Sequence, residues 1–528
     1  MKNNLLREPP TGVRFVNRRS LPVWRASCRL AVVAVAGLAA AVLIATGTTG
    51  CADMSGIAPQ ASLRDASSLG LATSPSAIAS ADVSVDISAS WWRDFGDEQL
   101  NQAIAQALQT SPTLRMAQAR LARAQAVTEV ADAATLPQLS GQIDTTRQRY
   151  TANSAVPPPL AGSVRNSATA QLSAGWELDF FGKNRAALDA ALGSAHAAEA
   201  DAQAARVLLA SQVARTYFQL LRLNEQALVA RRTLAQREET LQLVQDRVNA
   251  GLDTRLELRQ SEGSLPEARL QLEAIQEQLA LTHHALAALT GQAADASALS
   301  PPNNRLQQAL PALSAVKQIA LATRIPADLL GRRADISAAR WRVEASSNDV
   351  VNAKTQFYPN VNLVAFTGFS SIGLNRLVES GSQQWGVGPA LRLPIFDAGR
   401  LRANLRGKTA DLDAAVESYN SAVVDAVRDV ADQLTSMQAI SRQQVEQRAA
   451  QQAAEDAHDI AVQRYKAGLG NYLNVLTAET SVLVQRRQAV DLSARTLDTQ
   501  VALIRALGGG YRSGTAETLQ ATVSLPKK

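Results

Sequence analysis

The residues that could support metal binding or acid-base catalysis are four histidines and many carboxylates. The histidines lie in helical segments without a cysteine or carboxylate partner at metal-ligand spacing, and the adjacent pair points to different sides of a helix. They are His196, His283, His284 and His458. The sequence has no P-loop, dinucleotide fingerprint or nucleophile elbow. These patterns indicate a protein that is not an enzyme and that holds no metal.

Cys51 is the residue with the clearest chemical use. It follows an arginine-rich start, an apolar run at residues 30–45 and the small residues of positions 48–50, an order typical of an export signal. The segment Thr-Thr-Gly-Cys resembles a bacterial lipobox, whose cysteine becomes the diacylated first residue of a lipoprotein. Cys28 would leave with the leader, so Cys51 could form no internal disulfide. We expect a signal peptide at residues 1–50, covalent lipid on Cys51 and no cofactor; a permanent anchor helix and an unmodified Cys51 are the alternatives.

The positive charge of the chain is confined to this leader. The formal net charge is +6 with a pI near 9.5, which could suggest a nucleic-acid partner. Residues 1–50 carry seven basic side chains and one acidic side chain, so the remaining residues are neutral overall. Once the leader is removed, charge gives no support for nucleic-acid binding.

The rest of the chain contains an internal sequence repeat of two copies. One block matches the residues 222 positions later; it contains Leu114, Arg120 and the segment around Pro137. A second block matches at an offset of 215 residues and contains Phe181 and Arg185. A third block around Arg247, including its Ala-Gly-Leu turn, matches at an offset of 217 residues. The offsets change only between these blocks, as expected of a duplication. Each repeat is predicted to form a helix, two strands and two very long helices.

The long helices have the strongest pattern. Residues 183–250 contain no proline and one glycine, and apolar residues recur every seven positions. They are Val213, Leu220, Ala227, Leu234, Leu241 and Val248. This is coiled-coil spacing over a helix of about 100 Å. The chain is predicted to turn at Gly251 and return to about residue 290, and residues 400–467 and 471–507 repeat the hairpin. Pro266 should kink the first return helix.

Alternating segments predict the strands. Ala168, Ala170, Leu172, Ala174, Trp176 and Leu178 form one face of the second strand, with polar residues between them. Trp385, Val387, Pro389, Leu391, Leu393 and Ile395 form the apolar face of the fourth strand. Residues 139–148 and 361–370 are the less regular partners. A soluble, half-buried hairpin fits the alternation equally well but leaves its position at the ends of such long helices unexplained.

Four strands cannot close a membrane barrel. Strands of ten to twelve residues match the thickness of a bilayer, but a closed barrel needs at least about eight of them. An open sheet edge is not tolerated in lipid. If the hairpins enter the membrane, copies of the chain must share one barrel: two copies give eight strands and three give twelve. The helices would then form a cylinder continuous with that barrel.

Several motifs, in order, give the chain a specific resemblance. They are Trp91 with Phe95 and Leu100, the segments 176–182, 330–336 and 393–400, and the two Ala-Gly-Leu turns. From about Trp91 to Tyr511 the chain resembles the TolC-like outer-membrane efflux factors, in particular the lipoprotein branch serving resistance-nodulation-division pumps. Ala334 stands where that family usually has proline.

The resemblance implies a mainly α protein with membrane β-strands and an internal duplication. A homotrimer would form a twelve-stranded β-barrel, four strands per chain, continuous with a long α-helical barrel in the periplasm. The expected partners are outer-membrane lipid, a periplasmic adaptor and an inner-membrane pump. Small molecules such as drugs would pass from the pump to the outside through this duct.

The same resemblance singles out the hairpin tips. Gly251 with Leu252, and Gly468 with Leu469, look like the adaptor-docking motif of the family. Asn474 and Thr477 stand where relatives often carry aspartates that form a periplasmic constriction. Because both residues are neutral here, we expect a looser or less cation-selective gate; plain solvated helix surface is the alternative.

These observations define the predicted organisation. Residues 51–90 form a lipid-anchored tether, 91–296 the first repeat, 297–318 a linker in an equatorial region, 319–510 the second repeat and 511–528 a tail. The predicted function is the outer-membrane exit duct of a tripartite efflux system. The alternatives are the outer-membrane component of type I protein secretion and a periplasmic coiled-coil lipoprotein scaffold without a pore.

Overall fold

The structure, a computed structural model, describes residues 54–64, 87–153, 157–292, 310–319 and 329–512. The signal peptide, Cys51, part of the tether, most of the linker and nearly all of the tail lie outside these residues. Within them the chain forms seven α-helices and four β-strands. In chain order they are α1 (Glu98–Thr110), α2 (Pro112–Ala133), β1 (Gln138–Arg149), β2 (Val164–Leu178), α3 (Lys183–Asn249), α4 (Arg255–Leu289), α5 (Ala334–Thr355), β3 (Asn360–Ile372), β4 (Gln383–Arg392), α6 (Arg400–Lys466) and α7 (Tyr472–Ala506).

The two long hairpins have identical helix lengths. Both α3 and α6 contain 67 residues, and both α4 and α7 contain 35. At about 1.5 Å per residue, α3 and α6 are each about 100 Å long. Their ends lie within one residue of those predicted from the sequence, and α4 continues through Pro266. No helix in the described part of the chain is both long and apolar enough to cross a membrane.

The four strands form one antiparallel sheet in the order β1-β2-β3-β4. The central pairing, β2 with β3, joins the two repeats from Ser167 opposite Ile372 to Leu178 opposite Val361. β1 and β3 extend one or two residues beyond their predicted ranges. β4 differs in the other direction: it ends at Arg392, so Leu393 and Ile395 lie outside the strand. Pro394 explains the difference, because a proline cannot donate the backbone hydrogen bond that would continue the ladder.

An aromatic core surrounds the middle of α3. Phe95 packs edge-on against Phe218 with ring centroids 5.2 Å apart, and both rings are buried. Asp97 caps α1 by accepting the backbone N–H groups of residues 99 and 100 at 2.9 and 3.2 Å. The Tyr217 hydroxyl donates to the same carboxylate at 2.7 Å. This core fixes the first short helix of the chain against the long helix that carries the hairpin tip.

Candidate functional site

The strand register separates two faces of the sheet. One face is apolar across the strands, since Ile143 lies opposite Ala170 and Ala170 opposite Phe369. The other face carries Ser140, Gln142, Thr169, Gln171, Ser173 and Gln384. β3 is the exception, because its residues Val364 and Phe366 lie on this polar face. The two faces suit a sheet with lipid on one side and water on the other.

Within the residues that the structure describes, the sheet has two unpaired edges. Every residue of β1 is exposed, and Ile143 is 82% exposed. At the opposite edge Trp385 is also exposed, and Phe396, just beyond β4, is 88% exposed. Large apolar side chains are therefore left uncovered at both lateral edges, together with unpaired strand backbone. In water such edges favour association with another strand, and in lipid they must be paired.

The polar face is tied together across three strands. Gln384 on β4 donates to the side-chain oxygen of Gln171 on β2 at 3.1 Å, passing over Gly368 on β3. A Cβ atom at Gly368 would lie 2.2 Å from the carbonyl oxygen of Ala170. Glycine is therefore required at position 368 for β2 and β3 to pair as closely as they do.

Both predicted turns end the long helices in the same way. Gly251 and Gly468 have φ values of 71° and 73°, in the left-handed region that favours glycine. The N–H groups of Leu252 and Leu469 each donate at 2.8 Å to a carbonyl five residues earlier, which completes a Schellman motif. Leu252 is 65% and Leu469 70% exposed. The two tips thus each present one apolar side chain to solvent.

A network that sequence reasoning missed joins the two tips. Arg247, at the end of α3, contacts both carboxylate oxygens of Asp253 at 2.9 and 3.3 Å. Tyr465, at the end of α6, donates its hydroxyl to Asp253, and its ring lies 4.6 Å below the Arg247 guanidinium. The carboxylate is therefore held by residues of both hairpins. Tyr465 itself is buried against Val244 and other apolar side chains of the tips.

Electrostatics favour the charged form of this carboxylate. Burial acts to raise the pKa of Asp253, but hydrogen bonds from Arg247 and Tyr465 outweigh it and leave that pKa below its ordinary value. Burial and the same carboxylate raise the pKa of Tyr465. The duplication breaks at this point, since the second tip has Gly470 where the first has Asp253. The presence of Asp253 in only one of the two tips was the one feature of the sequence that could have indicated this network.

Asn474 and Thr477 are exposed in the first turns of α7. The backbone N–H of Asn474 donates to the Asn471 side chain at 3.1 Å, and the Thr477 hydroxyl donates to the Leu473 carbonyl at 2.8 Å. Neither residue contacts the tip network in these interactions. Their role at a constriction stays a prediction.

Two of the histidines lie near a carboxylate. Nδ1 of His196 lies 3.8 Å from a Glu199 carboxylate oxygen, and Nδ1 of His458 lies 3.6 Å from Asp459. These carboxylates are three residues and one residue away in the sequence, and each of the two histidines has one such neighbour. No group of three metal-ligand side chains occurs in the described residues.

The residues just after the predicted lipid site lie along α6. Asp413 accepts the backbone N–H groups of Gln60 and Ala61 at 2.8 and 2.9 Å. Asn420 accepts the N–H of Arg64 and donates to the Ser62 carbonyl. Met54 packs beside the start of α6, near the sheet.

Comparison with known proteins identifies the family. The family model described as "Outer membrane efflux protein" matches residues 103–292 and 325–509, most of the chain. The chain belongs to the outer membrane efflux protein family. The resemblance seen in the sequence motifs is thereby confirmed.

Individual members of the outer membrane efflux protein family are similar over most of their length. The putative multidrug resistance outer membrane protein MdtQ of Escherichia coli is 33% identical over 435 residues, covering 80% of this chain and 88% of MdtQ. The fusaric acid resistance protein FusA of Burkholderia cepacia is 36% identical over 74% of this chain and 70% of FusA. The crystal structure of the outer membrane protein VceC of Vibrio cholerae superposes with a TM-score of 0.74 at 38% identity, covering 81% of this chain and all of VceC.

Family membership fixes the location and class of the protein. It is an outer-membrane efflux channel protein, mainly helical with a four-stranded sheet, whose long helices belong to the periplasmic part. The family is one of channels and not of enzymes.

Proposed function

We propose that three copies of the chain form one conducting duct. The sheets of three subunits would supply twelve strands, with β1 of each subunit pairing with β4 of the next. The support is the pair of unpaired edges, which lipid does not tolerate, and the exposed apolar residues beside them. The helices would continue the barrel as a periplasmic tunnel.

The duct serves a tripartite efflux system that exports drugs or other small molecules. An inner-membrane pump supplies the energy, and a periplasmic adaptor joins the pump to the hairpin tips. Relatives that are named for multidrug and fusaric acid resistance support this substrate class over the protein cargo of type I secretion. The four-stranded sheet with two open edges, carried by a member of an efflux-channel family, is the observation on which the proposal depends.

The mass and conductance of the purified protein test the duct. The mature chain in detergent should have about three times the subunit mass and should form steady single channels in planar bilayers, because a barrel of twelve strands encloses water. The subunit mass also reports the lipid proposed on Cys51. A water-soluble monomer that produces no conductance in planar bilayers would contradict the proposal.

The exposed leucines at the tips are proposed as the adaptor contacts. Replacing both with aspartate, Leu252→Asp and Leu469→Asp, should weaken adaptor binding at least about tenfold, since an apolar anchor at an interface contributes about 1.4 kcal/mol or more. Drug susceptibility of cells that express the chain with its own adaptor and pump measures the effect.

A matched control is Leu270→Asp, at an exposed position in α4 far from the tips. This variant should keep normal resistance. If the tip variants form channels of normal conductance and also give normal resistance, the tips are not the docking site.

A further inference from the structure

Two arginines lie on the apolar face of the sheet at the end of β1. Arg147 and Arg149 alternate in the same register as Leu139 and Ile143, and both are exposed. Their partners on β2 are Asn166 and Val164, which carry no charge. The face that meets lipid therefore ends in two adjacent positive charges.

The distance of these arginines from the helical end of the sheet matches the thickness of the hydrocarbon layer of a bilayer. Along β2, ten residues separate Trp176, beside the helices, from Asn166, opposite Arg147. With a rise of about 3.4 Å per residue and a tilt of about 40°, these ten residues span about 26 Å, close to the apolar band of outer-membrane barrels. Four apolar residues face outward between these levels: Ala168, Ala170, Leu172 and Ala174. The guanidinium groups thus lie just beyond the hydrocarbon, in the headgroup layer opposite the periplasm.

No carboxylate in the described part of the chain pairs with either guanidinium. The acid nearest in sequence, Asp144, lies on the opposite face, where it accepts from Gln142 at 2.6 Å. Glu379 is the acidic residue of the loop between β3 and β4, and Arg376 accompanies it. The two outward arginines therefore keep their charge available for an external anion.

We propose that Arg147 and Arg149 bind the phosphate groups of a phosphorylated glycolipid, lipid A, in the outer leaflet. The inference rests on the proposed function, because it needs the apolar face to be in contact with lipid. A guanidinium offers parallel N–H donors that match two phosphate oxygens, and such charge-assisted pairs are among the strong hydrogen bonds. Three subunits would place three arginine pairs around the rim of the barrel and hold a shell of lipid there.

A comparison of lipids tests the proposal on the unaltered protein. Full-length protein in detergent is mixed with lipid A carrying both phosphates, with the same lipid after removal of its phosphates, or with inorganic phosphate. The temperature at which the oligomer dissociates on a gel is then measured. Only phosphorylated lipid A should raise this temperature. Equal stabilisation by the phosphate-free lipid would overturn the proposal, as would full stabilisation by inorganic phosphate.

Variants locate the effect on the sheet. R147Q with R149Q should lower the affinity for phosphorylated lipid A at least about tenfold, because two charge-assisted contacts are removed. The control is R165Q, which removes one positive charge at the same height on the polar face, since Arg165 lies opposite Gln148. If R165Q loses as much affinity as the double variant, the lipid is not held by the outward pair.

Single-channel conductance separates this inference from the proposed function. The double variant should conduct as the unaltered protein does, since the arginines face outward. If the unaltered protein forms conducting channels but the phosphates of lipid A do not change the dissociation temperature of its oligomer, only the lipid site is refuted. If the unaltered protein forms no channel, the proposed duct is refuted.

Discussion

Gly368→Ala should reduce assembly of the conducting oligomer at least about tenfold. The added Cβ would lie 2.2 Å from the Ala170 carbonyl oxygen and 2.7 Å from the Gln171 Cα, and neither backbone atom can move without separating β2 from β3. Overpacking costs about 1–3 kcal/mol where side chains can adjust, and a clash with backbone in a paired strand belongs at the upper end or above it. We expect the amount of heat-modifiable oligomer on gels to fall at least about tenfold. The number of channels that the protein forms in planar bilayers should fall by the same factor.

Gly388→Ala is the control for this prediction. Gly388 lies in β4 of the same sheet, and a Cβ there meets no atom within 4 Å. This variant should assemble and conduct normally. Equal assembly of the two variants would show that the close β2–β3 pairing is not needed for the barrel.

Asp253→Asn should increase the open time of the channel. The change removes the charge that holds Arg247 and Tyr465 together, and with it the link between the two hairpin tips. Because the pair is only half-buried, its loss should cost about 1 kcal/mol, which shifts a two-state equilibrium about fivefold. Single-channel recording should show a larger or longer-lived open state, and Tyr465→Phe should act in the same direction with a smaller effect.

The control for the tip network is Glu262→Gln. Glu262 pairs with Arg259 at 2.7 Å on the exposed surface of α4, where an ion pair contributes little. Its conductance should equal that of the unaltered protein. If Asp253→Asn forms normal oligomers with unchanged conductance, the network does not restrain the tips.

The pH dependence of the tips follows from the lowered pKa of Asp253. A carboxylate whose pKa is lower in the folded state stabilises that state at every pH above its ordinary value near 3.8, and the contribution is lost as pH falls through the lowered pKa. Conductance should therefore stay constant between pH 8 and pH 5 and rise only in more acid solution. The raised pKa of Tyr465 keeps its hydroxyl protonated on the alkaline side.

The helical part of the fold could be read from the sequence almost completely. Heptad spacing and the two Gly-Leu turns placed the ends of α3 and α6 within one residue, because a glycine with positive φ ends a helix at a defined position. The apolar and polar faces of β2 were also predicted. The end of β4 was not, since Pro394 interrupts the ladder while the alternation of apolar residues continues past it.

The sites were harder to predict because their residues are distant in sequence. Asp97 and Tyr217 meet across 120 positions, and Asp253 and Tyr465 across 212. Neither pair has a characteristic spacing. Packing of α1 against α3 brings the first pair together, and packing of one hairpin against the other brings the second pair together. The roles of Cys51, the tip leucines, Asn474 and Thr477 stay predictions.

The unbroken length of α3 has a mechanical consequence. The helix runs without interruption from the aromatic core at Tyr217 to its end at Asn249, a distance of about 48 Å at 1.5 Å per residue. A rigid rod pivoting at that core by about 5° would swing its far end sideways by about 4 Å, a displacement larger than the diameter of a water molecule. Leverage of this kind would let the hairpin tip move sideways while the sheet at the other end stays almost still.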